Sequence, residues 1–239
     1  MQGSYQQTIP EVSISAAFRN GWGQLWNNFL LLLVIVIISI AISLPVVGEA
    51  VIGMGNAGGA LMEEGDRGTA QAAGAGIALL FGFMSLVYSL FIINPVSVGA
   101  GYAFLRAARN DPLDIRDMFA GFSVYINAVL VLFLYGLLVG IGLIFLIIPG
   151  IFFACKFIFA PYIVVDKHMN VIEALQESWD MTKGHAFKVF IIGLFSIPIG
   201  MIGFMCLIIG VIPAAMWIEM TFASLYHAIN IDEEAAIYV

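Results

Sequence analysis

The chain has 239 residues, of which 62% are hydrophobic and only 10% are charged, and its mean hydropathy is +1.01. One soluble core cannot bury that much apolar surface, so the composition predicts an integral membrane protein. The net charge of −7, from 16 acidic and 9 basic residues, argues against a nucleic-acid partner because no basic patch is available to neutralise phosphates. Both cysteines lie inside apolar runs, which predicts small buried side chains rather than a disulfide or a metal site.

Apolar runs along the chain predict an all-α fold with six transmembrane helices, because about 20 helical residues cross a hydrocarbon core of about 30 Å. In chain order the spans are 29–47, 77–104, 126–148, 151–165, 187–209 and 211–229, within a single membrane domain, 1–239. Spans three and four meet at Pro149-Gly150, and spans five and six meet at Gly210, so each pair is predicted to be a tight antiparallel hairpin. A longer Gly- and Ala-rich loop with acidic residues separates spans one and two.

A short amphipathic surface helix is predicted before spans one, three and five, at 13–28, 112–122 and 171–183. In the third of these, Asn170 is a good N-cap with Glu173 three residues on, and Gly184 stands where a helix end favours positive φ. Before span three, Asp111 is predicted to cap the helix, with Pro112 in its first position. The chain is therefore interpreted as a repeat of three units, each a surface helix followed by two spans.

The basic residues predict the orientation, because loops rich in Lys and Arg stay in the cytoplasm. Arg67 alone falls on the side opposite the termini, and Lys156 lies inside a span. Seven others fall on the side of the termini: Arg19, Arg106, Arg109, Arg116, Lys167, Lys183 and Lys188. We therefore expect both termini and all three surface helices to lie in the cytoplasm, with the acidic loop outside.

The third surface helix carries an acidic outward face. Its charged residues are Glu173, Glu177, Asp180 and Lys183. Helices that bind anionic lipids carry the opposite charge, so two interpretations remain: a structural helix that sets the angle between spans four and five, or a docking surface for a basic protein. Trp179 of this helix, like Trp22 and Trp26 of the first surface helix, is predicted to anchor it at the membrane interface.

Two ionisable residues lie inside predicted spans, Lys156 in span four and Glu219 in span six. Charges in hydrocarbon are costly and mark functional positions, and both residues stand at similar distances from the outer hairpin turns. Three interpretations remain open: an ion pair that locks the two spans together, a Lys156 that reaches the interface beside a neutral Glu219, or a transport or substrate site. No catalytic, metal-ligating or cofactor-binding constellation is recognisable.

Four segments carry a family resemblance, and the most specific combines Glu173-Ala174-Leu175, Ser178 and Thr182-Lys183-Gly184-His185. The others are mainly apolar: PVSVGAGYAFLRAARNDPLDIRDMFAGF, IIPGIFFACKFIFAPYIVVDK and IPAAMWIEMTFASLYHAI. Together, over residues 95–229, they resemble DUF975, a group of bacterial integral membrane proteins, and the membrane domain attached to some glycerophosphodiester phosphodiesterases. The resemblance implies a six-span protein of the bacterial inner membrane with no established activity. The phosphodiesterase chemistry is not carried over, because the chain lacks a soluble catalytic domain.

Three functional hypotheses follow. The first is a non-enzymatic protein that serves as an accessory or scaffold of a membrane complex, with the lipid bilayer and a basic protein surface as partners. The second is a small permease or lipid-handling protein that uses Lys156 and Glu219, because repeats and broken helices are typical of transporters. The third is a membrane-embedded enzyme, which a cluster of His168, His185 and His227 with nearby carboxylates would indicate.

Overall fold

The computed structural model describes residues 12–60 and 79–237, and of the helical residues 49–60, 207–209 and 234–237 it describes the backbone alone. Every regular element in those ranges is helical. In chain order the elements are α1 (Ile14–Asn27), α2 (Phe29–Ala60), α3 (Leu79–Ala108, with a π-helical turn at Ser89–Ile93), a 3₁₀ helix (Ile115–Phe122), α4 (Tyr125–Phe145), α5 (Ile147–Phe157), α6 (Ala160–Asp166), α7 (Val171–Met181), α8 (Ala186–Met205) and α9 (Leu207–Ile237).

Five helices in the described ranges are long and apolar enough to cross a membrane. They are Phe29–Gly48, Leu79–Ala108, Tyr125–Phe145, Ile147–Asp166 and Ala186–Met205. Many of their outward side chains are large and apolar, such as Leu30, Leu79 and Ile144, which are 75%, 75% and 84% exposed. Such a surface is stable only against lipid or another protein. The prediction of an all-helical membrane protein is therefore confirmed, while the predicted sixth span, 211–229, lies within α9.

Helix α9 lies at the centre of the packing, against α1, α8 and the second half of α3. Its Met216, Met220 and Tyr226 are completely buried. A Cβ atom added at Gly21 of α1 would lie 3.1 Å from the backbone nitrogen of Thr221, so these two helices touch backbone to backbone. The Trp217 indole donates to the Phe18 carbonyl at 3.3 Å. The first surface helix is thereby fixed to the last helix of the chain.

The two hairpin turns differ from the prediction. The chain turns at Leu146, whose backbone is extended, and Pro149-Gly150 lie inside the start of α5. Proline is tolerated there because the first turn of a helix has no intrahelical use for its N–H. Likewise α8 ends at Met205 with Cys206 as its C-cap, and Gly210 lies inside α9.

The glycines near these turns are contact points between the paired helices. A Cβ atom added at Gly142 would lie 2.8 Å from the Cα of Gly150, and one at Gly210 would lie 2.6 Å from the carbonyl oxygen of Gly203. Only hydrogen fits at these positions. Gly150 and Gly210 therefore belong to the predicted hairpins, but they are contacts between the paired helices and do not form the turns.

The predicted surface helix 112–122 is a 3₁₀ helix that begins at Ile115, and Asp114 caps it instead of Asp111. The N–H of Asp111 bonds to the carbonyl of Arg106, and Asn110 takes a positive φ of 62°. This is the usual closure of a helix C-terminus, so Asp111 ends α3 and is not available to start the next helix. Asp114 and Asp117 then satisfy the first backbone N–H groups between them.

Helix α2 also departs from the prediction, because it continues past position 47 to Ala60. Five of the residues 48–60 are glycine, which disfavours a helix, so local propensity does not explain this extension. The rest of the predicted acidic loop and the first two residues of the predicted second span lie at 61–78, outside the described residues.

Candidate functional site

Helix α7 has the ends that its sequence predicts. The Asn170 side chain accepts from the N–H of Glu173, whose carboxylate accepts in turn from the N–H of Asn170, at 3.0 Å and 3.4 Å. Gly184 takes a positive φ of 79° just beyond the helix. The residues that face the protein are Ala174, Leu175, Ser178 and Met181. One of them is polar, and its contacts explain how α7 is held.

The Ser178 and Thr182 side chains bind the backbone of the helix beneath. Both hydroxyl groups donate to the carbonyl oxygen of Lys156, at 2.9 Å and 3.3 Å, and both residues are completely buried. Lys156 stands in the last turn of α5, which ends at Phe157 before α6 starts at Ala160. The last carbonyl groups of a helix have no intrahelical donor. Helix α7 supplies donors where the span is broken.

The Lys156 side chain turns toward aromatic rings of α5 and α7. Its Nζ lies 5.0 Å from the ring centre of Trp179 and 5.9 Å from that of Phe152. The residue is only 7% exposed. Among the described residues, no acceptor lies within hydrogen-bonding distance of this ammonium group. A buried charge with no anionic partner is unusual, because burial removes the hydration that stabilises it.

Glu219 differs from Lys156 in its hydrogen-bond partner and in its exposure. The Tyr162 hydroxyl donates to Glu219 Oε2 at 3.2 Å. Although its neighbours Met216 and Met220 are completely buried, Glu219 itself is exposed, as are Ala215 and Val211 one and two turns earlier on the same face. An exposed stripe on α9 therefore ends at this carboxylate.

The ion pair between Lys156 and Glu219 that the sequence suggested is not among the contacts of these side chains. Similar distance from a turn was a poor guide because it ignores direction: Lys156 points to α7, whereas Glu219 faces Tyr162 of α6. The other two interpretations, a Lys156 that reaches the interface beside a neutral Glu219 and a transport or substrate site, stay predictions.

A second polar cluster lies next to Tyr162, and the sequence did not suggest it. Arg109 binds Asp166 through two hydrogen bonds of 2.6 Å, and the Tyr226 hydroxyl donates to the same carboxylate at 2.9 Å. Burial opposes the charge of Arg109, but the hydrogen bonds and the charge of Asp166 outweigh it and raise the pKa of the guanidinium. Tyr162 stacks on Tyr226 with ring centres 5.7 Å apart, so Glu219 stands at one end of a polar and aromatic series that ends at Arg109.

The charges of the predicted docking surface on α7 are largely used within the protein. Glu173 caps the helix, Glu177 pairs with Lys167 at 2.7 Å, and Asp180 pairs with Lys183 at 2.5 Å. Glu233 of α9 adds a further acid nearby: its burial, and then the charge of Glu177, raise its pKa.

The predicted interface tryptophans lie in two different surroundings. Trp22 and Trp26 are 47% and 54% exposed on α1, where an interface anchor would be. Trp179 instead packs on Phe152 and Phe157, with ring centres 5.7 Å and 5.6 Å away. Trp179 also lines a groove of about 350 Å³, whose other walls are Phe157, Ile172, Leu175, Gln176 and Asp180.

No group of three or more His, Cys, Asp or Glu residues in the described ranges is arranged to hold a metal ion.

Comparison with known families replaces the resemblance suggested by the sequence. The family model described as "Domain of unknown function (DUF7847)" matches residues 91–228, more than half of the chain, so the chain belongs to that family. The expected relationship to DUF975 and to the phosphodiesterase membrane domain was wrong, because the family model that matches is DUF7847. The comparisons find no match among curated proteins and none among solved structures.

Proposed function

We propose that this DUF7847 protein is a non-enzymatic membrane protein that handles a small amphiphile or solute, as a permease or a lipid-handling protein. The observation that carries the proposal is Glu219, an exposed residue at the end of an apolar stripe on α9, whose carboxylate accepts from Tyr162. An acid at this depth is costly unless it meets a proton, a cation or a hydrogen-bond donor. The matching ligand therefore carries a positive or hydrogen-donating group.

The contacts of Tyr162 support this role for Glu219. Its hydroxyl holds one carboxylate oxygen at 3.2 Å, which leaves the second oxygen for a ligand. A Cβ atom added at Gly101 would meet the Tyr162 ring at 3.5 Å, and Tyr226 stacks on it. The hydroxyl group is thus held in place from two sides, as a preorganised site requires.

The proposal includes a topology of six spans, with the second half of α8 and the first part of α9 forming the last hairpin. Both termini are placed in the cytoplasm, because seven basic residues flank the spans on that side and one on the other. The membrane is proposed to be the cytoplasmic membrane of the cell. The bacterial origin implied by the earlier resemblance loses its support with the change of family.

The scaffold hypothesis becomes the second choice. It relied on a free acidic face on α7, and Glu177 and Asp180 are paired with Lys167 and Lys183. Partners that stay bound through purification in mild detergent, and that are lost in a Glu173→Gln and Glu177→Gln variant, would support it. A clean monomer would count against it.

A hydrophobic carbodiimide tests the proposed function, because it enters bilayers and reacts with protonated carboxyl groups. The protein in lipid nanodiscs is treated with dicyclohexylcarbodiimide, and modified peptides are identified by mass spectrometry. We expect modification at Glu219 and protection by tetraphenylphosphonium, a lipophilic cation. Asp166, which Arg109 holds through two hydrogen bonds, is the internal control and should not react. We expect Glu219→Gln to lower tetraphenylphosphonium binding about tenfold. An unreactive Glu219, or one that the cation does not protect, would refute the proposal.

A further inference from the structure

The strongest unexplained feature outside the Glu219 site is the ammonium group of Lys156. The Lys156 residue is 7% exposed, and among the described residues its ammonium contacts aromatic rings but no acceptor. The faces of Trp179 and Phe152 offset part of the cost of burial. They do not supply an anion, and a buried lysine ordinarily has one.

The charges around Lys156 leave it with a local excess of positive charge. The charged groups whose electrostatic effect reaches it are Lys183 and Asp180. These two are paired with each other at 2.5 Å and are mostly exposed. Asp180 is already paired with Lys183. One carboxylate therefore stands against two lysines in this region.

The surroundings of this charge are apolar on one side and polar on the other. The groove of about 350 Å³ beside α7 shares Trp179 with Lys156 and is walled by Phe157, Ile172 and Leu175. Gln176 and Asp180 form its polar edge. Because Ser178 and Thr182 bind α7 to the backbone of Lys156, the ammonium stands beside α7 and its groove.

From these observations we infer that Lys156, Trp179 and the groove beside α7 form a binding site for an anionic amphiphile. The anion is a phosphate group that pairs with the Lys156 ammonium, and the apolar part lies along Phe157, Ile172 and Leu175. A lipid phosphodiester supplies both parts, whereas free phosphate supplies only the first. The inference does not rest on Glu219, which carries the opposite charge and lies on another helix.

Titration of the purified protein with lipids tests the site. Phosphatidylglycerol, phosphatidylcholine and inorganic phosphate are the three probes, with bound lipid counted by native mass spectrometry and phosphate binding followed by thermal unfolding. We expect phosphatidylglycerol to bind about tenfold more tightly than phosphatidylcholine, because a buried charge-assisted contact is strong. Lys156→Met should lose this preference and Lys156→Arg should keep it. Lys188→Gln is the control for net charge, because the Lys188 ammonium is already bound to the carbonyl of Val12.

Each outcome of the titration bears on the inference. Equal affinity for the two lipids in the unmodified protein overturns it, and so does an unchanged preference in Lys156→Met. Stabilisation by inorganic phosphate that Lys156→Met removes, without any lipid preference, supports the anion site and rejects lipid as its source. If Lys156→Met does not fold, the comparison of the two lipids with the unmodified protein and with Lys156→Arg decides the question.

Discussion

Ser178 and Thr182 are polar residues on the apolar arc of an amphipathic helix. The periodicity of the sequence does not explain why this arc carries hydroxyl groups. The structure explains them, because the span beneath is broken after Phe157 and the two hydroxyl groups donate to the carbonyl of Lys156. The Thr182 hydroxyl has one proton, which it shares between the carbonyls of Lys156 and Ser178, at 3.3 Å and 2.8 Å. The role of these two residues is to hold α7 against α5.

Removal of these hydroxyl groups should loosen α7. The Ser178→Ala and Thr182→Val double variant leaves a buried carbonyl without a donor, which costs about 2 kcal/mol. We expect a lower Tm in mild detergent, measured by the fluorescence of the tryptophans. Thr182→Ser, which keeps the hydroxyl, and Gln176→Ala, at an exposed position, are the controls and should change the Tm little. An unchanged Tm in the double variant would mean that water or lipid replaces these hydrogen bonds.

At the scale of single helices, the features that depend on nearby residues were predicted well. Asn170, Glu173 and Gly184 define the ends of α7 as expected, because a capping box involves residues three positions apart. The hairpin turns were misplaced because Pro149 and Gly150 suit both a turn and the start of a tightly packed helix. Only the approach of Gly142 to Gly150 distinguishes these two cases, and that is a contact between helices.

The hairpin of α4 and α5 provides a test with opposite expected signs. In Gly142→Ala the new methyl group meets the Cα of Gly150 at 2.8 Å and a ring carbon of Phe153 at 3.0 Å, so overpacking should cost about 1–3 kcal/mol. In Gly136→Ala, on the same helix, the methyl group meets nothing within 4 Å, and the better helix propensity of alanine should stabilise by about 0.5–1 kcal/mol. Thermal unfolding of both variants in the same detergent measures the difference. Equal effects would contradict the close approach of these helices.

At the scale of the whole molecule, composition was enough to predict a helical membrane protein, because apolar excess is a property of the entire chain. The Arg109, Asp166 and Tyr226 cluster was not predicted, since its members are separated by 57 and 60 positions and no local pattern relates them. The same holds for the side chains of Lys156 and Glu219. Their depth was estimated from their positions in the sequence, but their direction depends on how α5, α6 and α9 pack.

The proposed six-span topology places the turn between α8 and α9 at the outer edge of the hydrocarbon. Cys206 lies in this turn and is exposed, and the preceding Phe204 and Met205 are 79% and 82% exposed. Side chains as apolar as these favour hydrocarbon over water. The Cys206 thiol should therefore resist a charged maleimide from either side of the membrane, since a charged reagent does not enter hydrocarbon.

Cysteine labelling measures this prediction and the orientation together. Cys206 is expected to react with the charged maleimide only after detergent dissolves the membrane. A Ser123→Cys variant with Cys155 and Cys206 replaced by alanine reports the other side, because Ser123 is exposed at the end of the 3₁₀ helix. We expect it to react in inside-out vesicles and not in intact cells. Reaction of Ser123→Cys in intact cells would reverse the orientation, and reaction of Cys206 without detergent would place that turn in water, where its apolar residues would need another protein to cover them.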